Sequence, residues 1–437
     1  MTEKYIQEGS NTRIQLLIIG LCSMINILDG FDVMAIAFTA PQISSEWNLS
    51  PETLGVVFSA GFLGMALGAI FLGPLSDRYG RRRTVLACMV LVIISMLLTA
   101  TADSTTTLIP YRFLTGLAIG TMLPSLTSMT SEFSTDANKN FNISIVQSTY
   151  AIGATLGGVI SGLLIVEYGW RFIFVGGAVL NMITLVFVFL LLPESLEFLL
   201  NKRPKGGLAR ANKIISRLGG EELQEWPPLA ESSTQSSPGF KGLMENDMTK
   251  WTLLLWLCSF MSLFGVYFLM SWIPKIIFDA GFPIEKAIWV GVCINAGGLL
   301  GILWLGYQSG KKGLRPMIVT FLATAGVLMM IFGSLDAGIA VLMISAAALG
   351  FFSQGGFIGL YSAAARLYGT HNRATGIGWC IGIGRFGAIV GPAVGGVFIG
   401  LELQQSTYFI ILAIPFFIGA CAMFFLKAPQ LLPGAKE

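Results

Sequence analysis

Charge is scarce in this chain of 437 residues: Asp, Glu, Lys and Arg make up 12%, against 54% hydrophobic residues and a mean hydropathy of +0.73. A soluble domain carries about twice that charge, so the composition excludes an ordinary globular protein and describes a polytopic membrane protein. Histidine is reduced to His371, beside Arg373 between two apolar segments, where an isolated imidazole reads as a loop residue and not a ligand. The six cysteines, Cys22, Cys88, Cys258, Cys293, Cys380 and Cys421, lie in apolar segments without metal-ligand or redox spacing. They read as small buried hydrophobes and imply neither a disulfide nor a metal site. There is no His, Cys or carboxylate cluster for catalysis and no filter-like loop, which argues against an enzyme or a passive channel. GIGRFG, Gly382 to Gly387, has the GxGxxG spacing but follows no strand, and its glycines serve close helix packing, not a dinucleotide. No cofactor and no nucleic-acid partner is implied. The N-terminal stretch MTEKYIQEGSNTR lacks a cleavable pattern, and its apolar run continues too far for a signal segment.

Long apolar runs are what the chain has instead. Runs of spanning length occur at about 14–40, 53–75, 84–102, 107–131, 143–166, 171–193, 251–278, 286–308, 315–334, 338–364, 375–400 and 406–427, which predicts twelve transmembrane helices. Of the 27 Lys and Arg residues, 22 fall at the termini or in loops after even-numbered spans. The five others are Arg171, Lys275 and Lys286 near the opposite face, and Arg112 and Arg385 within spans. By the positive-inside rule both termini are cytoplasmic, and the expected location is the cytoplasmic (inner) membrane. Residues 194–250 are polar, with an amphipathic helix expected at 208–218, and read as a cytoplasmic linker between an N-terminal bundle, 1–193, and a C-terminal bundle, 251–437. Gly73 and Gly80 recur at Gly306 and Gly313, and Gly153, Gly157 and Gly162 recur at Gly387, Gly391 and Gly396, at offsets of 233 and 234. Two pseudo-symmetric six-helix halves follow, with a substrate site expected at the midplane between them.

Inside the first run stand two acids, Asp29 and Asp32. A charge at the bilayer centre costs about 2.5 to 3.5 kcal/mol on insertion scales, so an intramembrane acid marks a functional site by default. At a spacing of three the pair shares a helix face, and neighbouring carboxylates out of water tend to share a proton. Arg112, about five residues into the fourth span, is placed at a depth from which it can pair with Asp32. Arg385 is ten residues into the eleventh span and falls on Ala151 at the repeat offset, so the other half has no such charge. A guanidinium there suits a carboxylate held by both its oxygens. Tyr267, Trp272, Phe352, Phe357, Tyr361 and Trp379 are candidates to stack on a ring, with membrane packing as the competing use of each.

GPLSDRYGRRR, Gly73 to Arg83, resembles the signature loop of the major facilitator superfamily, and GYQSGKKGLRP, Gly306 to Pro316, is its counterpart with Gly310 in the acid's place. RFLTGLAIG and PESLEFLL are similar to superfamily patterns at the fourth span and at the exit of the sixth. LDGFD (28–32), YFLMSWIPKII (267–277) and RATGIGWCIGIGRFGAIVGPAVGG (373–396) together resemble the aromatic acid/proton symporter branch. The resemblance spans essentially the whole chain. It implies a proton-coupled importer of a small aromatic carboxylate working by alternating access, a monomer in the lipid bilayer with the proton as coupling ion. The residues associated with transport fall on Asp29, Asp32, Arg112, Arg373 and Arg385. Asp77, Arg78, Arg81, Glu132 and Arg373 are expected to form gate contacts at the cytoplasmic rim. The alternatives are a carrier of another organic acid, a dicarboxylate or a pyridine carboxylate, and a drug/proton antiporter, whose cationic or lipophilic cargo has no use for Arg385.

Overall fold

A segment that crosses hydrocarbon must satisfy its own backbone groups, and single apolar runs do so as helices. In the computed structural model, which describes residues 13–135, 138–218, 220, 222–227, 243–244, 248–368, 373–428 and 431, every such run is helical, and no strand occurs among the described residues. The helices are α1 Arg13–Trp47, α2 Pro51–Leu67 with a π-helical continuation Gly68–Leu72, α3 Leu75–Tyr79, α4 Arg81–Ala100, α5 Thr105–Glu132, α6 Lys139–Leu191 and α7 Leu196–Lys202. They continue with α8 Gly207–Leu218, α9 Met248–Asp279, α10 Ile284–Lys312, α11 Leu314–Ser334, α12 Ile339–Leu367, α13 Arg373–Gly400 and α14 Gln405–Phe425.

Ten of these helices are long and apolar enough to cross a membrane. Twelve crossings are recovered once two local departures are counted. The 53 residues of α6 run through Gly169, whose φ of 75° lies outside helical space, so the expected fifth and sixth spans form one bent element. At about 1.5 Å per residue it is long enough for two passages through a core of about 30 Å. The other departure is α5, whose threonines, serines and Arg112 dilute its hydropathy although its 28 residues suffice to cross. The first helix also runs past its expected end, continuing through Pro41 to Trp47. Prolines are tolerated inside membrane helices because neighbouring groups and local adjustment satisfy the carbonyl they leave free.

The internal repeat is visible in the packing. In the first half α1 lies along α6, α2 along α5 and α4 along α6; in the second half α9 lies along α13, α10 along α12 and α11 along α14. Gly153 presses on the carbonyl of Ile27, and at the repeat offset Gly387 presses on the carbonyl of Phe260. A side chain at either glycine would occupy its neighbour's backbone, which is why the chain has none there. The turns after the second and eighth spans use one conformation twice: Gly80 has φ 104° and ψ 141°, and Gly313 has φ 89° and ψ 143°. Residues with a Cβ rarely adopt such φ values.

The two bundles touch through α2 on α13, α6 on α10 and α1 on α9. The close approaches lie toward the face away from the basic loops. Ser59 Oγ donates to the Ile389 carbonyl at 2.7 Å, and the ring of Phe58 meets that of Trp272 edge to face at 5.3 Å, Trp272 itself being held within the second bundle by a hydrogen bond from Nε1 to the Pro392 carbonyl at 2.9 Å. Gly158 packs on Val292 and Phe38, and Gly396 on Pro51. On the basic face, α8 buries Ala211, Ile214, Ile215 and Leu218 against α7 and α1 while Arg210, Lys213 and Arg217 stay exposed.

Candidate functional site

Helix α1 carries Asp29 and Asp32 into the middle of the first bundle, where both are fully buried. Neither carboxyl oxygen of Asp29 has a hydrogen-bond partner among the described residues. Asp32 Oδ2 accepts from Asn181 Nδ2 at 2.9 Å, and its Oδ1 has no partner among the described residues. Arg112 is buried beside it, with its guanidinium 5.6 Å from the ring centroid of Phe174. The expected pairing of Arg112 with Asp32 takes a different form: Nη2 donates to the Asp32 main-chain carbonyl at 2.9 Å, while Asn181 holds the carboxyl. Arg112 Nε and Nη1 have no partner among the described residues. The sixth-span asparagine was not anticipated, although a lone amide inside VLNMITLVFVF was readable as a buried polar group in need of a partner.

Arg385 stands at mid-length in α13, one helical turn toward the basic face from the Ile389 carbonyl that Ser59 grips. It is half-buried and forms no hydrogen bond or ion pair among the described residues. Three tyrosines from three helices are within its electrostatic reach: Tyr150 of α6, Tyr267 of α9 and Tyr361 of α12. Tyr267 meets Phe62 of the other bundle edge to face at 4.7 Å, and Tyr361 meets Phe357 at 5.2 Å. The remaining expected aromatics are engaged elsewhere. Trp272 is buried in the contact between bundles, Phe352 packs on Phe321 and Phe351 within its own half, and Trp379 stacks on Trp256 at 5.4 Å.

Among the described residues the arrangement is thus two unpaired or half-paired acids in one bundle and an unpaired guanidinium in the other, with three phenols in its electrostatic reach. The sequence pattern of the Major Facilitator Superfamily matches residues 22–307 and, overlapping, 255–437. The chain belongs to the major facilitator superfamily. The gallate transporter of Pseudomonas putida is 34% identical over 94% of this chain and 91% of its own length. The 4-hydroxybenzoate transporter PcaK of the same organism is 32% identical over 94% and 92%. Among solved structures, a bacterial homologue of the human lysosomal transporter Spinster, inward-facing and occupied, superposes with a TM-score of 0.75 at 16% identity, covering 96% of this chain and 98% of that one. That likeness shows the superfamily fold.

The superfamily's loop between the second and third spans gathers ionic contacts at the basic face. Arg81 pairs with the buried Glu132 at the end of α5, approaches Asp77 at 3.7 Å and reaches Glu197 of α7 at 3.4 Å. Ser195 Oγ donates to Glu132 Oε2 at 2.6 Å, and Glu194 Oε1 accepts from the Arg82 amide at 2.8 Å. Asp77, Arg81 and Glu132 come together as expected residues; Glu194, Ser195 and Glu197 join them from PESLEFLL, whose acids had been read only as a span exit. Arg78 lies apart, over the Tyr79 ring at 5.5 Å. The side chain of Arg373 and the whole of His371 lie outside the described residues. In the second half Lys311 donates to Tyr307 Oη at 2.6 Å, with Gly310 where the first loop has its acid.

Proposed function

We propose that this chain imports a small aromatic carboxylate together with protons across the cytoplasmic membrane by alternating access, as a monomer with its termini and basic loops in the cytoplasm and no cofactor beyond the coupling ion. The observation that carries the reading is Arg385, a cation in the middle of a membrane protein with no anion partner among the described residues. A guanidinium offers a carboxylate two parallel charge-assisted hydrogen bonds, and the ring behind that carboxylate meets the aromatic edges of Tyr267 and Tyr361. The relatives named as gallate and 4-hydroxybenzoate transporters support this cargo class.

Asp29 is the proton carrier in this reading. It is buried, has no ion pair or hydrogen bond among the described residues, and gains most from a proton. Asp32, engaged by Asn181 with Arg112 alongside, is the structural member of the pair. An aromatic acid enters as an anion against an inside-negative potential that opposes it by about 2.3 kcal/mol per 100 mV. One proton on Asp29 removes that penalty, so uptake follows the pH gradient.

Thermal stabilisation of the purified protein by a ligand panel tests the cargo, because a ligand that binds only the folded state raises its stability by mass action. Gallate, 4-hydroxybenzoate and benzoate are expected to stabilise the protein, and Arg385→Ala to abolish the effect. Stabilisation by lipophilic cations and not by these acids would overturn the reading. Stabilisation by a dicarboxylate or by nicotinate alone would keep the carrier and change the cargo.

A further inference from the structure

One polar side chain in the space between the bundles has no role so far. Tyr150 lies in the close contact of α6 with α1: its backbone carbonyl lies where a side chain on Gly30 would be, next to Asp29. Its hydroxyl is buried and has no hydrogen-bond partner among the described residues, and both oxygens of Asp29 are in the same condition. Tyr150 interacts electrostatically with Asp29 on its own side and with Arg385 and Tyr267 on the other. A buried hydroxyl without a partner is an unfavourable arrangement that proteins rarely leave standing. Here one donor lies in the electrostatic reach of both the Asp29 carboxyl and Arg385, which has no anion among the described residues, so two acceptors could use it in turn: the carboxylate of Asp29 and an anion held by Arg385.

We propose that Tyr150 is a positioning residue that links cargo to proton, its hydroxyl donating to the Asp29 carboxylate when the site is empty and to the carboxylate of the cargo when Arg385 holds one. The inference rests on the cargo and carrier assigned above. Cargo arrival takes this donor from Asp29, which then takes a proton from water, so anion and proton are bound together. The other titratable groups around Asp29 do not replace the phenol. Asp32 is an acceptor held by Asn181, Cys88 of α4 is a weak donor, and Arg112 is turned to the Asp32 carbonyl. On the far side Tyr267 and Tyr361 face Arg385. Linkage is reciprocal, so the factor by which cargo promotes protonation is the factor by which the proton promotes cargo binding.

The test is the affinity of the full-length purified protein for 4-hydroxybenzoate between pH 5.5 and 8. The unaltered protein is expected to bind about tenfold more tightly per unit fall in pH over the linked range, as one coupled proton requires. Tyr150→Phe is expected to flatten that slope to under about threefold while keeping binding at the low-pH end, since Arg385 remains. Tyr361→Phe, which removes a phenol whose electrostatic partners include Arg385 but not Asp29, is expected to weaken binding at every pH and leave the slope unchanged. A Tyr150→Phe protein with the full slope overturns this inference and leaves the carrier reading intact. A flat slope in the unaltered protein overturns the proton-coupled reading and the inference with it. Should Tyr150→Phe fail to fold, Tyr150→Met, equally without a donor, carries the same expectation.

Discussion

The two bundles share a scaffold and differ in charge. At the repeat offset Asp29 and Asp32 of α1 fall on Ser262 and Gly265 of α9, Arg112 falls on Ala346, and Arg385 falls back on Ala151. The packing contacts, by contrast, recur almost residue for residue: Gly153 on Ile27 and Gly387 on Phe260, with twin turns at Gly80 and Gly313. Backbone approach and positive φ are set by geometry that any copy of the fold has to reproduce, whereas a charge in the membrane is retained only where a ligand or a proton needs it. The difference teaches where to look: acids stand in one half and a guanidinium in the other, so the proton and the anion of the proposed transport fall to opposite bundles.

Breaking the asymmetry at its strongest point gives the largest effect. Asp29→Asn is expected to abolish accumulation driven by an imposed pH gradient in proteoliposomes while binding persists, and Ser262→Ala, at the matching place, to leave uptake unchanged. Full accumulation by the Asn variant would remove Asp29 from the mechanism.

The shared scaffold predicts equal damage on both sides. Gly153→Leu and Gly387→Leu should each lower stability by about 3 kcal/mol, read as thermal unfolding in detergent, because the new side chain meets a neighbouring helix backbone that cannot yield. Unequal losses would mean that the halves do not carry packing alike. A smaller contrast separates the two basic loops. Arg81→Ala leaves the buried Glu132 without its cation and should cost about 2 kcal/mol, whereas Lys311→Ala removes an exposed contact with Tyr307 and should cost under about 1 kcal/mol. The finest test concerns geometry at constant charge. Arg385→Lys should weaken 4-hydroxybenzoate binding about tenfold by calorimetry, the loss of a bidentate grip, and unchanged affinity would show that charge alone suffices.

Most of the scaffold was legible because a bilayer imposes one rule on every span. The apolar run at 107–131 marked α5 despite its threonines, serines and Arg112, whereas the run at 14–40 ended α1 near Pro41, where the helix in fact continues. The acids, Arg112 and Arg385 were legible as charges where charge is expensive. Their partners were less so: hydropathy does not say that Arg112 meets a carbonyl of Asp32 and that an amide from α6 meets its carboxyl. The aromatics show the limit most plainly. Trp272, Tyr267 and Phe352 look alike in an apolar run, and only the rotation of each helix in its bundle separates the contact between halves from the face of Arg385 and from a half's interior.

The fastening between α2 and α13 has a consequence for populations. Between the bundles Ser59 gives one hydrogen bond to a helix carbonyl, worth about 0.5 to 1.5 kcal/mol net, and the Phe58 ring adds about 0.5 to 1.5 kcal/mol against Trp272. A bias of roughly 1 to 3 kcal/mol leaves the alternative arrangement at about one molecule in six to one in a hundred and sixty. Such a catch is light enough for thermal motion to release and for a modest difference in ligand affinity between the two arrangements to reverse. Its weakness is then what permits turnover, and a tighter seal on that face would trade transport for rigidity.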